Sequence, residues 1–327
     1  MNETLVIAIG GNAILKEGQR GTVEEQFDNV MACCAPIVTL YEKGYRIILV
    51  HGNGPQVGNI LLQAEAAADT VPPQSIDLCG AQTQGQLGYM IQRAVHNTFN
   101  ARGINGKITS VVTQVIVDQH DPAFQNPTKP IGPFYSAERA KAIQAERPDL
   151  VLREDAGRGW RRVVASPKPL RIIERDSVRS LLDQSHIVVS GGGGGIPVAV
   201  EGDHYIGVEA VVDKDLVASI IARDLQADKL IILTGVDRVF VDFGKPTQRP
   251  IARLSVAQAR EYMAQGQFPP GSMQPKIEAA LDYLEAGGRE TIITSIDTMD
   301  QALAGENGTV IYREESLPSV EQDKRTI

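Results

Sequence analysis

The sequence is short of several things, and each shortage excludes something. Its 327 residues include only three cysteines, Cys33, Cys34 and Cys79. They are odd in number and lack metal-ligand spacing, so they are expected to be reduced thiols filling the core of a cytoplasmic protein. The five histidines, His51, His96, His120, His186 and His204, form no HExxH or related cluster, and no residue is expected to ligate a metal. No apolar run approaches the roughly 20 residues that cross a bilayer, and the N-terminus lacks the basic and apolar regions of a signal peptide. No membrane partner is expected. Basic residues are also outnumbered, 32 Lys and Arg against 40 Asp and Glu, for a net charge of −8. That balance argues against a nucleic-acid surface but leaves room for a local basic pocket around an anion. What is present, 43% hydrophobic and 22% charged residues, is ordinary for a soluble globular chain long enough to bury a large core.

Short apolar segments alternate with longer helical ones, the pattern of an α/β protein with a largely parallel sheet. Strands are expected at Leu5–Ile9, Arg46–Val50, Ile108–Val117, Ile187–Ser190, Lys229–Thr234, Thr291–Thr294 and Thr309–Ile311. Within Pro275–Ala286, Ile277, Ala280, Leu281 and Leu284 recur at helical spacing. Ser255 with Gln258 reads as a capping box, and Asp213 as the cap of a helix through Leu216, Ile220 and Ile221. Residues 118–170 break the rhythm with proline, glycine and charge. Phe124, Phe134, Tyr135 and Trp160 give that segment something to pack, so it reads as a small excursion from the main fold. The polar tail beyond Ile311 is expected to be loosely ordered.

Three expected strands run into glycine: GGNA after Ile9, HGNGP after Val50 and GGGGGIP after Ser190. Such loops are often plain turns. At the carboxyl ends of strands in an open α/β sheet, however, they bring backbone N–H groups against phosphate or carboxylate. GxxxxGK[ST] is absent, which excludes a Walker-type ATPase. HGNGPQVG approximates a dinucleotide fingerprint, but Val57 stands in the third glycine's place, which disfavours a nicotinamide or flavin enzyme.

No lysine adjoins these loops, so the positive charge must arrive from elsewhere. Lys129 lies between prolines in NPTKPIGP, Lys214 opens an expected helix in VDKDL, and Lys276 follows GSMQP just inside another. Cations oppose the dipole at helix starts, an anomaly that bound phosphate oxygens would remove. Asp215 is placed to align lysines by accepting their hydrogen bonds. Lysines and backbone donors together are what phosphoryl transfer requires, because the reaction is helped mainly by positioning and electrostatic stabilisation. His51 precedes GNGP, and its expected role is to hold that loop.

From Leu5 to about Ile311 the chain resembles carbamate kinase, of the amino acid kinase superfamily. The segments that carry the resemblance are GGNAIL, HGNGPQVGN, TQGQLGY, NPTKPIGPF, EDAGRGWRRVVASPKP, GGGGIPV, EAVVDKD, LTGVD and GSMQPKIEAA. Other superfamily members lack NPTKPIG and EDAGRGW, and often carry a lysine before the first glycine pair, where this chain has Ala8-Ile9. The resemblance implies a three-layer α/β/α sandwich on residues 1–311, with a carbamate-side lobe over about 1–205 and a nucleotide-side lobe over about 206–311. Residues 118–170 would form a protruding subdomain, and 312–327 a polar tail.

It further implies Gly10, Gly11, Asn12, Gly52, Asn53, Gly54, Gly193 and Gly194 around the phosphoryl group and its acceptor. Lys129, Lys214 and Lys276 would act on the phosphates, oriented by Asp215, with adenine near Thr234, Asp237 and Met273. The family implication is reversible transfer between ATP and carbamate, giving ADP and carbamoyl phosphate, with Mg2+ on the nucleotide, no tightly bound organic cofactor, and a homodimer. Arginine, purine or allantoin breakdown would each supply carbamoyl phosphate. Competing expectations are a kinase of another small carboxylate or phosphate, or a catalytically silent regulatory paralogue. Two departures stand out: a fifth glycine, Gly191, and a tail longer than is usual.

Overall fold

A computed structural model describes residues 3–16, 18–155 and 157–314. Its main sheet has eight strands. Their spatial order is Arg253–Ser255, Thr309–Tyr312, Glu290–Thr294, Lys229–Leu233, Thr4–Ile9, Arg46–His51, His186–Val189 and Lys107–Ser110. All neighbours pair in parallel except Thr309–Tyr312 with Glu290–Thr294. Thr4–Ile9 is buried along its whole length, as expected for a parallel strand covered on both faces.

Alternation along the central strands separates two cores. Val6, Ala8, Ile48, Val50, Leu230 and Ile232 face one layer, which contains the Lys214–Asp224 and Gln274–Glu285 helices. Leu5, Ile7, Ile47, Leu49, Ile231 and Leu233 face the other, formed largely by the Val23–Glu42 and Ile76–Arg102 helices. This is a three-layer α/β/α sandwich with a largely parallel central sheet. The local signals behave as read: Ser255 and Gln258 form a reciprocal capping box, and the Asp213 carboxylate accepts from the Asp215 N–H at 2.8 Å. Cys33, Cys34 and Cys79 are free and buried.

The expected Ile108–Val117 strand is instead two strands in different sheets. Lys107–Ser110 ends the main sheet. Gln114–Val117 lies in a four-stranded sheet with Pro169–Ile172, Ile196–Glu201 and His204–Gly207. Val111 and Val112 carry an unbroken apolar signal through the corner, so periodicity cannot see it. The corner is held by tertiary bonds: the Thr113 hydroxyl accepts from the Gly191 N–H at 3.0 Å and pairs with Ser190 at 2.9 Å.

Residues 118–170 carry a small antiparallel sheet of Lys129–Tyr135, Trp160–Val164 and Val151–Glu154, together with the Ala137–Glu146 helix. Tyr135 and Trp160 pack against a local cluster of Ala140, Leu150 and Leu152. Phe124 instead joins the main core, and Phe134 is exposed beneath two arginines. A Cβ on Gly58 would fall 2.0 Å from the Cα of Gly132, so backbone-to-backbone contact seats this small sheet on the Gly54–Ala66 helix. The tail from residue 315 onward lies outside the described residues.

Candidate active site

Strand ends and helix starts converge on one place. The Gly10–Gly11 turn follows Thr4–Ile9, and Gly52–Gly54 leads from Arg46–His51 into the Gly54–Ala66 helix. A Cβ on Gly10 would sit 3.3 Å from the Leu233 carbonyl oxygen. One on Gly52 would meet the Gly11 nitrogen at 3.2 Å and Lys214 Cδ at 3.3 Å. The two glycine loops and Lys214 are thus packed together, and a side chain at Gly10 or Gly52 would press on its neighbours. Asn12 continues the Gly11–Ile14 turn; its side chain lies outside the described residues. Asn53 is buried, and its amide donates to the Thr83 hydroxyl at 2.8 Å.

The glycine run closes the back of this cradle. Gly192, Gly193 and Gly194 are buried. Added Cβ atoms would fall 2.4 Å from His51 Nε2, 2.2 Å from Asn53 Nδ2 and 2.0 Å from the Val212 carbonyl oxygen, respectively. The Gly194 N–H is already donated to the Gly191 carbonyl at 3.0 Å. In the structure this run is therefore a close-packing surface that lets His51, Asn53 and the Val212–Asp213 turn approach. The Gln84 amide bonds it to the chain corner, donating to the carbonyls of Gly192 at 2.9 Å and Thr113 at 3.1 Å. Gly191, the additional glycine, has φ +68°, and a Cβ there would lie 2.8 Å from Val217 Cγ1. His51 holds the loop as expected: its Nδ1 lies 3.1 Å from the Gly52 carbonyl oxygen. Burial pushes its pKa down to about 4, which leaves it neutral near pH 7.

The lysines form a second layer. Lys214 is the first residue of its helix and pairs with Asp215, while Lys276 reaches the other oxygen of the same carboxylate at 2.8 Å. Lys129 arrives from the small sheet and pairs with Asp213. Lysines at helix starts needed an anion. In this structure the anion is Asp215, so the anomaly is resolved by the chain itself before any phosphate is considered.

Electrostatics follow the geometry. Burial disfavours ionised Asp215 and Asp213, yet the neighbouring lysines win and hold both carboxyls below the usual range. Burial pulls Lys214 down to about 8 against the attraction of Asp215. Lys276 is also desolvated, but Asp215 raises it above the ordinary lysine value. Such a cluster presents ammonium groups whose positions are fixed before an anion arrives.

The residues expected on the nucleotide side lie on separate segments that follow strands or open a helix. Thr234 is half-buried directly after Lys229–Leu233, and its N–H donates to the Thr294 carbonyl at 2.9 Å. Asp237 is exposed and accepts from the Thr298 hydroxyl at 3.4 Å. Met273 caps the helix that carries Lys276 and packs half-buried against the core.

Sequence reasoning passed over the second role of Asp213, as partner of Lys129 besides helix cap. It also passed over Thr83, Gln84, Thr113 and Ser190. Thr83 and Gln84 sit in the TQGQLGY segment, but nothing local tells which loop they hold.

Comparison with known proteins settles the family. The amino acid kinase family model matches residues 3–295. The chain belongs to the amino acid kinase family, in its carbamate kinase branch. The Thermococcus kodakarensis carbamate kinase is 45% identical over 95% of this chain and 99% of its own length. The Escherichia coli carbamate kinase-like protein YahI is 46% identical over 96% and 100%. The carbamate kinase of Giardia lamblia, 42% identical, superposes with a TM-score of 0.92 in its citric-acid-bound structure and 0.87 with AMP-PNP, covering 96% of this chain and 99% of that one. Like these carbamate kinases, the chain is a phosphotransferase of α/β/α architecture, and none of its described helices is long and apolar enough to cross a membrane.

Proposed function

We propose that the chain catalyses ATP + carbamate ⇌ ADP + carbamoyl phosphate. The observation that carries this reading is the single carboxylate of Asp215 holding Lys214 and Lys276 where Lys214 abuts the contact between Gly11 and Gly52. Preorganised cations beside two backbone loops suit a transition state with charge spread over the phosphoryl oxygens. Carbamate is already an oxyanion, so its attack needs no general base. The neutral, buried His51 and the lysine-paired Asp213 and Asp215 agree with that.

In this mechanism the Gly10–Gly11 and Gly52–Gly54 backbones receive carbamate and the transferred group. Lys129 closes on it from the small sheet. Lys214 and Lys276 neutralise the nucleotide phosphates, while Asp215 keeps them in line. Adenine lies toward Thr234, Asp237 and Met273. Among the described residues no cluster of three acidic, histidine or cysteine side chains could hold a metal. Both carboxylates at the site are taken by lysines. A resident Mg2+ cage does not fit, whereas MgATP as the substrate does, since Mg2+ commonly binds through phosphates and water.

The reading includes a carbamate-side lobe over about 1–205, a nucleotide-side lobe over about 206–311 and a protruding subdomain over about 118–170. It also includes a homodimer in the cytoplasm that runs toward ATP synthesis where arginine, purine or allantoin breakdown supplies carbamoyl phosphate. The deciding experiment is ATP formation from carbamoyl phosphate, ADP and Mg2+ by the purified protein. No ATP would make a silent regulatory paralogue the leading reading. ADP release with another carboxylate but not carbamate would reassign the acceptor.

A further inference from the structure

Arg161 is an unusual arginine. It lies in the small sheet with 9% of its surface exposed. Two of its nitrogens are committed: Nε donates to the Gly132 carbonyl at 3.1 Å, and Nη1 to the Asp155 carboxylate at 3.3 Å. Its guanidinium carbon stands 5.0 Å from the centre of the Phe134 ring. The third nitrogen, Nη2, has no hydrogen-bond or ion-pair partner among the described residues. It faces the acceptor loop: a Cβ added to Gly54 would lie 3.9 Å from it.

A guanidinium held on three sides, with its last donors unpartnered among the described residues, offers a charged fork to an anion without first breaking a bond within the protein. Burial lowers its pKa, and Asp155 only partly restores it. Gly54 begins a 13-residue helix, whose dipole adds positive potential at the same point. Lys129, on the neighbouring strand, reaches away to Asp213 beside Lys214. Two of the small sheet's cations therefore have different addresses, Lys129 toward the phosphoryl group and Arg161 toward the acceptor loop. A planar guanidinium suits a planar oxyanion in a way that an ammonium point charge does not.

We propose that Arg161 is a specificity-determining residue whose free Nη2 donors bind the planar carbamoyl end of the substrate against the Gly54 loop. This rests on the carbamate kinase reading above. In carbamoyl phosphate the carbonyl oxygen accepts from Nη2. As the O–P bond breaks, that oxygen shares the charge of the departing carbamate, and Arg161 stabilises it. Asp155 and Phe134 are positioning residues that keep the fork aimed.

The test compares wild type with Arg161→Lys and Arg161→Gln in ATP synthesis, and measures ADP binding to each by calorimetry. Both variants are expected to lose about 10- to 100-fold in kcat/KM for carbamoyl phosphate, the effect of losing a charged hydrogen bond, with ADP affinity unchanged. Lysine should fail despite its charge, and added guanidinium should partly rescue Arg161→Ala. Wild-type kcat/KM in Arg161→Lys, or parallel loss of ADP binding in both variants, overturns the inference and makes Arg161 structural. An inactive wild type overturns the kinase reading instead.

Discussion

Two parts of the site hold lysines in opposite ways. Lys214 and Lys276 lie on helices packed against each other and share one carboxylate, with side-chain exposures of 11% and 13% against 4% for Asp215. Lys129 sits on a small antiparallel sheet, is 31% exposed, and is tied to the rest of the site through Asp213. The first arrangement fixes charge permanently, because separating any member would strand a buried ion. The second is a single ion pair between a partly exposed lysine and a buried carboxylate. The difference teaches that the two halves fix their lysines to different degrees, one by a shared buried carboxylate between packed helices and the other by a single ion pair.

The largest expected effect breaks the rigid half. Asp215→Asn leaves two buried lysines without their counter-charge, a change that typically costs about 3–5 kcal/mol. Thermal unfolding and turnover should both suffer, and a near-wild-type melting temperature would show that the cluster is not structural. Next, Lys214→Ala should reduce turnover by about 10²-fold, as for loss of one preorganised transition-state donor. Near-wild-type rates would remove Lys214 from the phosphate site. Lys129→Ala should lower turnover by a similar order, about 10²-fold, while unfolding temperature changes far less than in Asp215→Asn. Equal thermal losses would erase the contrast between the two halves.

A smaller effect comes from pH. Lys214 loses its proton as pH rises through about 8, so kcat/KM for ADP should decline above that value. Lys214→Arg, which stays charged, should lack this limb; an identical profile would assign the limb to another group. Smallest of all, Gly191→Ala forces a non-glycine residue to φ +68° and against Val217. It should cost about 1–3 kcal/mol in denaturant unfolding with little change in kcat. No measurable loss would show that the loop relaxes.

The contrast also explains what was legible. Lys214 and Lys276 stood out because cations at helix starts contradict the dipole, a local rule. The anion that answers them, Asp215, is adjacent to Lys214 but 61 residues from Lys276, so local spacing gives only the first of the two ties. Lys129 stood out through its flanking prolines, but its partner Asp213 is 84 residues distant and was read only as a cap. Arg161 gave no local signal beyond its basic segment, because its committed bonds run to Gly132 and Asp155 and its free end to Gly54. Gln84 looked like an ordinary helix residue, yet it ties Thr113 to Gly192 across 29 and 108 residues. The split of residues 108–117 was invisible for the same reason: valines at the corner satisfy the strand pattern, and the turn is set by contacts from elsewhere.

Sequence alone determined the α/β alternation, the continuous apolar strands that require cover on both faces, the glycine loops at strand ends and the residue types of the site. Those follow from side-chain period, backbone freedom and helix polarity, which act within a few residues. Only the tertiary structure decided that the glycine run packs against His51, Asn53 and Val212, that each of the three lysines has a carboxylate waiting, and that Arg161 faces Gly54. Ion pairs and close backbone contacts depend on distances in space, and those are fixed only when the layers have packed.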